Sequence, residues 1–222
     1  MERTGIELLV FSLPELGRGV WKTVLISLYT IAISIVCGIG FGALRTSRRL
    51  WLRIATRAVL ELFRSVPVLV WLFFFFFGLP LFFGIDIPAF ASAVLVLSLW
   101  GMTEIGEVAR GALQSLPKGQ LEAGQAIGLN PRQLYIYVLI PQAVRRMIPP
   151  SINVFTRIVM TSSLTVLVGV TEMIKSGQQI IERNYKYGLA AIIIYSALFA
   201  LYFLICYPLS VYSRRLEKKW AE

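Results

Sequence analysis

Residues 21–43 read WKTVLISLYTIAISIVCGIGFGA, an apolar run with no charged side chain after Lys22. About 20 such residues in an α-helix span the hydrocarbon core of a bilayer, so this run predicts a transmembrane helix. Further runs pass the same length test, and the predicted spans cover about residues 21–43, 57–80, 88–109, 144–170 and 188–212. The sequence therefore predicts an all-α membrane protein with five transmembrane helices in a single domain, residues 1–222.

The overall composition excludes a water-soluble domain. Of the 222 residues, 57% are hydrophobic and 15% are charged, and the mean hydropathy is +0.72. A soluble chain of this length needs a surface of mixed charged and polar residues, and this sequence has too few charged residues to form one. The net charge of +10 is compatible with nucleic-acid binding, but the basic residues lie in the connections between apolar runs. We expect the lipid bilayer to be the surrounding medium and expect no nucleic-acid partner.

Reactive residue types are scarce. The sequence has no histidine, which removes the commonest metal ligand and the commonest general base near neutral pH. Cys37 and Cys206 each lie inside an apolar run rather than in a paired-cysteine motif. We expect no metal site, no disulfide and no enzymatic centre. Residues 1–16 lack a basic start followed by a small-residue cleavage site, so no signal peptide is expected.

Basic residues concentrate in alternate connections, and the positive-inside rule assigns those connections to the cytoplasm. The side richer in basic residues receives Arg45, Arg48, Arg49, Arg53, Arg57, Arg110, Lys118, Arg132, Arg145, Arg146, Arg214, Arg215, Lys218 and Lys219. The opposite side receives Arg3, Arg18, Lys22, Lys175, Arg183 and Lys186. This asymmetry predicts the N-terminus outside and the C-terminus inside, as an odd number of spans requires.

The one long hydrophilic connection, about residues 110–142, is predicted to form two short helices joined by a tight turn. Pro117 suits the start of the first helix, and Gly128 suits a left-handed position just past its end. Asn130–Gln133 supplies an N-cap, a proline at the first helical position and a glutamine that can reach back. Pro141 is predicted to stop the second helix. Small residues on the first helix favour close docking of another protein.

The same connection carries Glu122-Ala123-Gly124, three residues, Gly128, nine residues and then Val138-Leu139-Ile140-Pro141. This spacing resembles the cytoplasmic EAA loop in permease subunits of bacterial ABC importers, which reads E-A-A, three, G, nine, I-x-L-P. The departures from that pattern are Gly124, Val138 and Ile140. The flanking residues 110–120 and 141–147 are similar to the polar amino-acid uptake branch of that family. Residues 63–67 and 163–170 extend the similarity.

The resemblance implies a type I ABC-importer permease fold in the bacterial inner (cytoplasmic) membrane and uptake of a polar amino acid. Two permeases, identical or homologous, would form the path, and an extracytoplasmic substrate-binding protein would deliver the substrate. A dimer of ABC ATPase subunits would dock on the loop, with coupling through Glu122, Ala123, Gly124 and Gly128. This chain has no G-x-x-x-x-G-K-[ST] phosphate cradle, so ATP and Mg would bind to the partner ATPase and no cofactor to this chain. A hairpin that binds nothing, with Glu122 simply solvated, is the alternative.

Ionisable side chains within spans cost at least ~2.5 kcal/mol each to insert, so they are kept for pairing or for a pathway. The candidate substrate contacts are Glu61, Arg64, Glu104, Arg157, Thr161, Ser162 and Ser163. In this hypothesis an arginine binds the substrate carboxylate, an acid meets its ammonium, and the hydroxyl groups add hydrogen bonds. Two structural alternatives stay open: a Glu61–Arg64 pair on one helix face and a Glu104–Arg157 pair between helices.

Two features bear on these alternatives. Pro67 interrupts the helical hydrogen-bond ladder beside Arg64, which favours a site there over a bare ion pair. Members of the resembling branch often have Lys-Asp where Met160-Thr161 stands and Tyr where Glu104 stands, and this sequence departs at both places. An ion-coupled secondary carrier with Glu61, Glu104 and Arg157 as its relay is the alternative function. A third possible function is that of a membrane scaffold whose hydrophilic loop binds a signalling partner.

Two further segments are left with open assignments. The run Phe73–Phe77 is predicted to face lipid or the second permease rather than to form an aromatic substrate box. The outer segment, residues 171–188, is a candidate surface for the binding protein or a solvated loop. Glu107, beside Arg110, is expected to be structural.

Overall fold

The computed structural model describes residues 5–221, and these residues are almost entirely helical. The helices are α1 (Gly5–Arg45), α2 (Leu50–Ser65), α3 (Val68–Phe73), α4 (Leu79–Phe83), α5 (Ala89–Gln114), α6 (Lys118–Ala126), α7 (Pro131–Gln133), α8 (Ile140–Thr161), α9 (Met173–Arg183) and α10 (Ala190–Ala221). Wide π-helical turns join α3 to α4 (Phe74–Gly78) and α7 to α8 (Leu134–Leu139), and a 3-10 segment, Ser162–Val168, extends α8. The all-α prediction is confirmed.

Four segments of the described chain are long and apolar enough to cross a membrane. They are Gly5–Arg45, Ala89–Gln114, Pro131–Val168 and Ala190–Trp220. Helices α2 and α3–α4 reach the required length only together, and they are bent by 101° relative to each other. By length and composition the described residues hold four candidate spans, or five if the bent pair counts as one.

The second predicted span, residues 57–80, corresponds to this bent pair, and the predicted break at Pro67 is present. Val66 has extended backbone angles (φ −102°, ψ 126°), and the chain resumes its helix only after Pro67. Proline has no N–H for the helical ladder, and its ring disfavours helical angles at the residue before it. These two effects end α2 at Ser65 and allow α3 to leave in a new direction.

Helix α1 is much longer than the predicted span at residues 21–43. Its first half buries Leu8 and Leu16, two helical turns apart, in a core cluster with residues of α9 and α10. The members of this cluster are Leu8, Leu16, Met173, Ile180, Ala190, Ile194 and Leu198. The hydropathy test missed this half because Glu7, Glu15 and Arg18 lower the mean, although the apolar residues recur at helical spacing.

Helices α1 and α5 pack along much of their length through facing glycines. A Cβ atom added to Gly106 would lie 2.7 Å from Cδ1 of Phe41 and 3.0 Å from the carbonyl oxygen of Gly38. A Cβ atom added to Gly42 would lie 2.7 Å from the carbonyl oxygen of Gly106. The two backbones therefore touch directly, as small residues allow between membrane helices.

We expect Gly106→Ala to lower the stability of the purified protein by about 1–3 kcal/mol, because the added methyl group overlaps the backbone of α1. Gly40→Ala is the matched control, since a Cβ atom there meets nothing within 4 Å. Thermal unfolding in detergent measures both effects. Equal midpoints for the two variants would contradict the close approach of α1 and α5.

The hydrophilic hairpin forms as predicted at its turn. Gly128 adopts φ +80° after the end of α6, and its N–H donates to the carbonyl of Gln125 over 3.0 Å. Asn130 Oδ1 accepts from the Gln133 N–H at 2.9 Å, and Gln133 Oε1 accepts from the Asn130 N–H at 3.0 Å. This reciprocal capping box fixes the start of the second arm.

The second arm does not stop at Pro141, so that part of the prediction is wrong. The chain passes through the π-helical turn Leu134–Leu139 and enters α8 with Pro141 in its first turn. The N–H of Ile140 donates to the carbonyl of Tyr135, five residues back. The wider turn accommodates the proline, whose missing N–H would otherwise interrupt the ladder. The second arm of the hairpin is consequently continuous with α8.

Helix α9 lies in the segment assigned above to the outer surface, and its N-cap, Glu172, is fully buried. The carboxylate of Glu172 accepts from the N–H groups of Ile174 and Lys175 at 2.9 Å and from the hydroxyl of Tyr202 at 3.2 Å. Burial raises the pKa of the Glu172 carboxyl, while hydrogen bonds from those N–H groups oppose the rise. Glu172 therefore links α9 to α10 and is not part of the exposed surface of residues 171–188.

Candidate functional site

Charged side chains from three helices meet at Glu104, on α5. Arg157 of α8 donates from Nη2 to Glu104 Oε2, and Nε of Arg64, at the end of α2, lies 3.8 Å from Glu104 Oε1. We call these three residues the Glu104 cluster. Two guanidinium groups share one carboxylate, so the cluster carries one excess positive charge.

The two arginine side chains of the cluster are largely exposed, whereas the Glu104 side chain is mostly buried. The side chains of Arg64 and Arg157 are 44% and 52% exposed, whereas that of Glu104 is 14% exposed. Cζ of Arg157 lies 5.6 Å from the centroid of the Trp100 ring, close enough for a cation–π contact. A guanidinium has five N–H donors, so each arginine retains donors for a second anion. This arrangement is suited to bidentate binding of a carboxylate.

The structure does not pair Glu61 with Arg64, as one alternative required. Glu61 is exposed on α2, and in residues 5–221 it makes no ion pair. Arg64 reaches across to α5 instead. The other alternative, contact between Glu104 and Arg157, is present. Sequence spacing identified residues three apart on one helix, but it held no information about the neighbouring helix.

The predicted hydroxyl donors differ in their access to this cluster. Ser162 is fully buried, and its hydroxyl donates to the carbonyl of Val159 at 2.8 Å, so it is not exposed toward the Glu104 cluster. The hydroxyl of Ser163 donates to the carbonyl of Met160 at 2.7 Å. Thr161 is half-buried and lies one turn after Arg157. The hydroxyl groups of Ser162 and Ser163 are thus bonded to the backbone of their own helical turn.

Ser163 belongs to a separate apolar groove of about 530 Å³, lined from α8, α9 and α10. Its aromatic lining includes Phe199, Tyr202 and Phe203, and Arg157 is not part of it. Sequence reasoning missed this groove because its walls come from three apolar or amphipathic helices. Among residues 5–221, no group of three or more His, Cys, Asp or Glu side chains is placed to hold a metal ion.

The predicted coupling residues divide into two sets on the hairpin. Glu122 and Ala123 are exposed on α6. Gly124 is buried, and a side chain there would overlap the Leu134 side chain of the second arm. Gly124 therefore faces the second arm, and its small size allows the two arms of the hairpin to pack together.

Polar contacts tie the hairpin to the long helices. Nε2 of Gln142 donates to Oε1 of Gln120 at 3.1 Å, which links the start of α8 to α6. Nη1 of Arg146 donates to Oγ of Ser115 at 3.1 Å, which links α8 to the end of α5. Because α8 continues from the hairpin, a displacement of the hairpin would move the helix that carries Arg157.

The described chain is thus a bundle of apolar helices, long enough to cross a membrane, with charged side chains among them and a hydrophilic hairpin bonded to two of the long helices. Residues 31–221 match the family described as "Binding-protein-dependent transport system inner membrane component", and the chain belongs to that family. The prediction that this is the permease subunit of an ABC importer is confirmed. The protein is an integral membrane transport subunit and not itself an enzyme.

The sequence is similar to amino-acid permeases over nearly its whole length. The glutamine transport system permease protein GlnP of Escherichia coli (strain K12) is 34% identical over 209 residues, 94% of each chain. The probable amino-acid ABC transporter permease protein YckA of Bacillus subtilis (strain 168) is 33% identical over 215 residues, 97% of this chain and 93% of the relative.

Solved structures support the same fold. The crystal structure of an amino acid ABC transporter with histidines has a TM-score of 0.85 at 25% identity, over 97% of this chain and 100% of the other. An inward-facing structure of the MetNI methionine ABC transporter has a TM-score of 0.72 at 22% identity, over 94% of this chain and 97% of the other. The latter likeness concerns the fold alone.

Proposed function

We propose that this chain is the permease subunit of an ABC importer that carries a polar amino acid across the bacterial inner membrane. The observation that carries the proposal is the Glu104 cluster, because two arginines open to the surroundings are costly in a membrane unless they bind an anion. The likeness to glutamine and amino-acid permeases supports this substrate class.

The Glu104 cluster suits both charges of an amino acid. The substrate carboxylate binds Arg64 and Arg157, whose fork-shaped guanidinium groups match a carboxylate in geometry. Glu104 holds both arginines in place. In this proposal Glu61, one turn before Arg64 on α2, meets the ammonium group. Thr161 adds a hydroxyl. The excess positive charge of the cluster is neutralised by the incoming carboxylate, which favours loading over the empty state.

In this proposal the bent pair α2 and α3–α4 counts as one span, which makes five and puts the two termini on opposite sides of the membrane. The distribution of basic residues supports the N-terminus outside and the C-terminus inside. A dimer of ABC ATPase subunits then docks on α6 from the cytoplasm, where Glu122 and Ala123 are exposed and Gly128 ends the helix. ATP and Mg bind to that partner. A second permease, identical or homologous, completes the path, and an extracytoplasmic binding protein delivers the substrate. The arm formed by α7 and α8 transmits ATPase closure to Arg157.

The proposal is tested by uptake into proteoliposomes that contain the permease, its ATPase and its binding protein, with radiolabelled glutamine as the first substrate. We expect uptake to require ATP on the ATPase side and to fall by about tenfold or more without it, since the coupling free energy comes from the nucleotide. Ionophores that collapse the proton and sodium gradients should leave uptake unchanged. Uptake that stops with the ionophores and continues without ATP would instead identify an ion-coupled carrier.

A further inference from the structure

A second charged cavity, separate from the Glu104 cluster, lies where the end of α1 meets α2, α5 and the turn that precedes α8. Its volume is about 440 Å³. Four arginines line it: Arg45 from α1, Arg53 and Arg57 from α2, and Arg110 from α5. We call it the arginine cavity. Four guanidinium groups from three helices thus line the same cavity.

The positive charge of this cavity is only partly balanced. Glu107 forms ion pairs with Arg45 and with Arg110, whose Nε lies 3.1 Å from Glu107 Oε2. Neither Arg53 nor Arg57 makes an ion pair in the described part of the chain. Four guanidinium groups against the one carboxylate paired with them leave three excess positive charges, which Glu61 offsets only by a longer-range interaction with Arg45. Like charges held this close repel one another, so an anion in the cavity would stabilise the arrangement.

The surroundings of the cavity indicate where that anion comes from. Leu50, Trp51 and Ile54, at the start of α2, are 62%, 63% and 59% exposed. Arg53 and Arg57, one turn apart on the same helix, line the cavity. Helix α2 therefore begins as an amphipathic helix, with one apolar exposed face and one basic face. Such helices lie at the membrane surface, and an indole ring favours that position.

We propose that the arginine cavity binds the phosphate group of an anionic phospholipid from the adjacent leaflet. Guanidinium groups bind phosphate oxygens in bidentate fashion, and basic pockets between membrane helices accept lipid headgroups. Gln114 and Tyr135, which also line the cavity, provide polar groups for a headgroup alcohol. The acyl chains would follow the exposed apolar face of α2. A zwitterionic amino acid suits the cavity poorly, because its ammonium group would meet three excess positive charges.

The competing explanation is that these arginines serve only to orient the chain in the membrane, which requires charge but no bound ligand. The sequence offers a matched control for this alternative. Arg48 and Arg49 lie immediately before α2 and are exposed, but they do not line the cavity. Removing them changes the charge by the same amount as removing Arg53 and Arg57.

The test uses the permease with its ATPase partner in vesicles of equal parts phosphatidylcholine and phosphatidylglycerol. Native mass spectrometry of the released complex counts the retained phosphatidylglycerol. We expect the double variant Arg53→Ala/Arg57→Ala to retain about tenfold less of this lipid, and Arg48→Ala/Arg49→Ala to retain the wild-type amount. Equal losses in the two variants, or no loss in the first, would overturn the proposal.

Two further experiments, a lysine double variant and a phosphate control, distinguish the remaining explanations. Arg53→Lys/Arg57→Lys preserves charge and tests the same site if the alanine variant aggregates, and we expect it to lose the bidentate geometry and part of the bound lipid. Lipid retention equal to wild type in the lysine variant would attribute binding to charge alone and overturn the proposed site. Stabilisation of lipid-free protein by millimolar inorganic phosphate, with none by phosphatidylglycerol, would overturn the lipid assignment in favour of a soluble anion.

Discussion

Replacing Arg157 with alanine is expected to reduce amino-acid uptake by about 10- to 100-fold, since a hydrogen bond to a charged group contributes about 1.5–3 kcal/mol. The substrate carboxylate loses one of its two guanidinium partners, and Glu104 loses its direct hydrogen bond. Initial uptake rates across a range of substrate concentrations, with the reconstituted importer, measure the effect. The apparent affinity should fall as well as the maximal rate. Arg145→Ala, at an exposed position on the same helix, is the control and should transport normally.

A double variant separates substrate binding from a structural ion pair. If Arg157 serves only to neutralise Glu104, then Arg157→Ala/Glu104→Gln removes both charges and should recover much of the lost transport. If Arg157 binds the substrate, the double variant stays as defective as Arg157→Ala. Recovery of uptake with unchanged affinity would therefore reject the proposed site at Arg157.

Reversing the charge at Glu122 is expected to separate ATP hydrolysis from transport. Glu122→Lys should insert and unfold like the wild type, because the side chain is exposed and makes no ion pair in residues 5–221. Uptake should fall about 100-fold, since a like-charge or unpaired contact in a protein interface costs several kcal/mol. ATP hydrolysis by the reconstituted complex should lose its stimulation by substrate and binding protein.

The control for this variant is Glu217→Lys, which makes the same charge change at an exposed position near the end of α10. It should leave both uptake and stimulated hydrolysis at wild-type levels. Wild-type uptake by Glu122→Lys would reject the assignment of α6 as the ATPase contact, whatever the effect on hydrolysis.

Local chemistry explains which parts of the fold were predictable from the sequence. The capping box at Asn130 and Gln133 and the left-handed Gly128 involve residues a few positions apart, so the sequence alone determines them. Long apolar runs likewise report directly on burial in lipid. Helix α9 escaped prediction because its amphipathic residues have a low mean hydropathy, and its burial depends on contacts with α1 and α10.

The sequence identified the three charged residues of the Glu104 cluster and offered the Glu104–Arg157 pair as an alternative, but it did not reveal the contact between Arg64 and Glu104. The cost of charge in a membrane identified Glu104 and Arg157 without any knowledge of their neighbours. Whether Arg64 contacts Glu61 or Glu104 depends on the 101° bend after α2, and Pro67 predicts a break but not its angle. Similarly, a glycine pattern did not reveal that Gly124 packs against Leu134 inside the hairpin.

The bend at Val66-Pro67 also sets the electrostatic potential around Arg64. The peptide dipoles of a helix sum to about half a negative charge at its C-terminus, and the effect is confined to the last turn. Helix α2 ends at Ser65, so Arg64 lies within that turn. The truncated helix therefore helps to hold a cation in place through its own main chain, while Glu104 is shared with Arg157. In a continuous helix the negative end of the dipole would lie further along the chain, away from Arg64. Pro67 therefore stabilises the positive charge of Arg64 in addition to changing the direction of the chain.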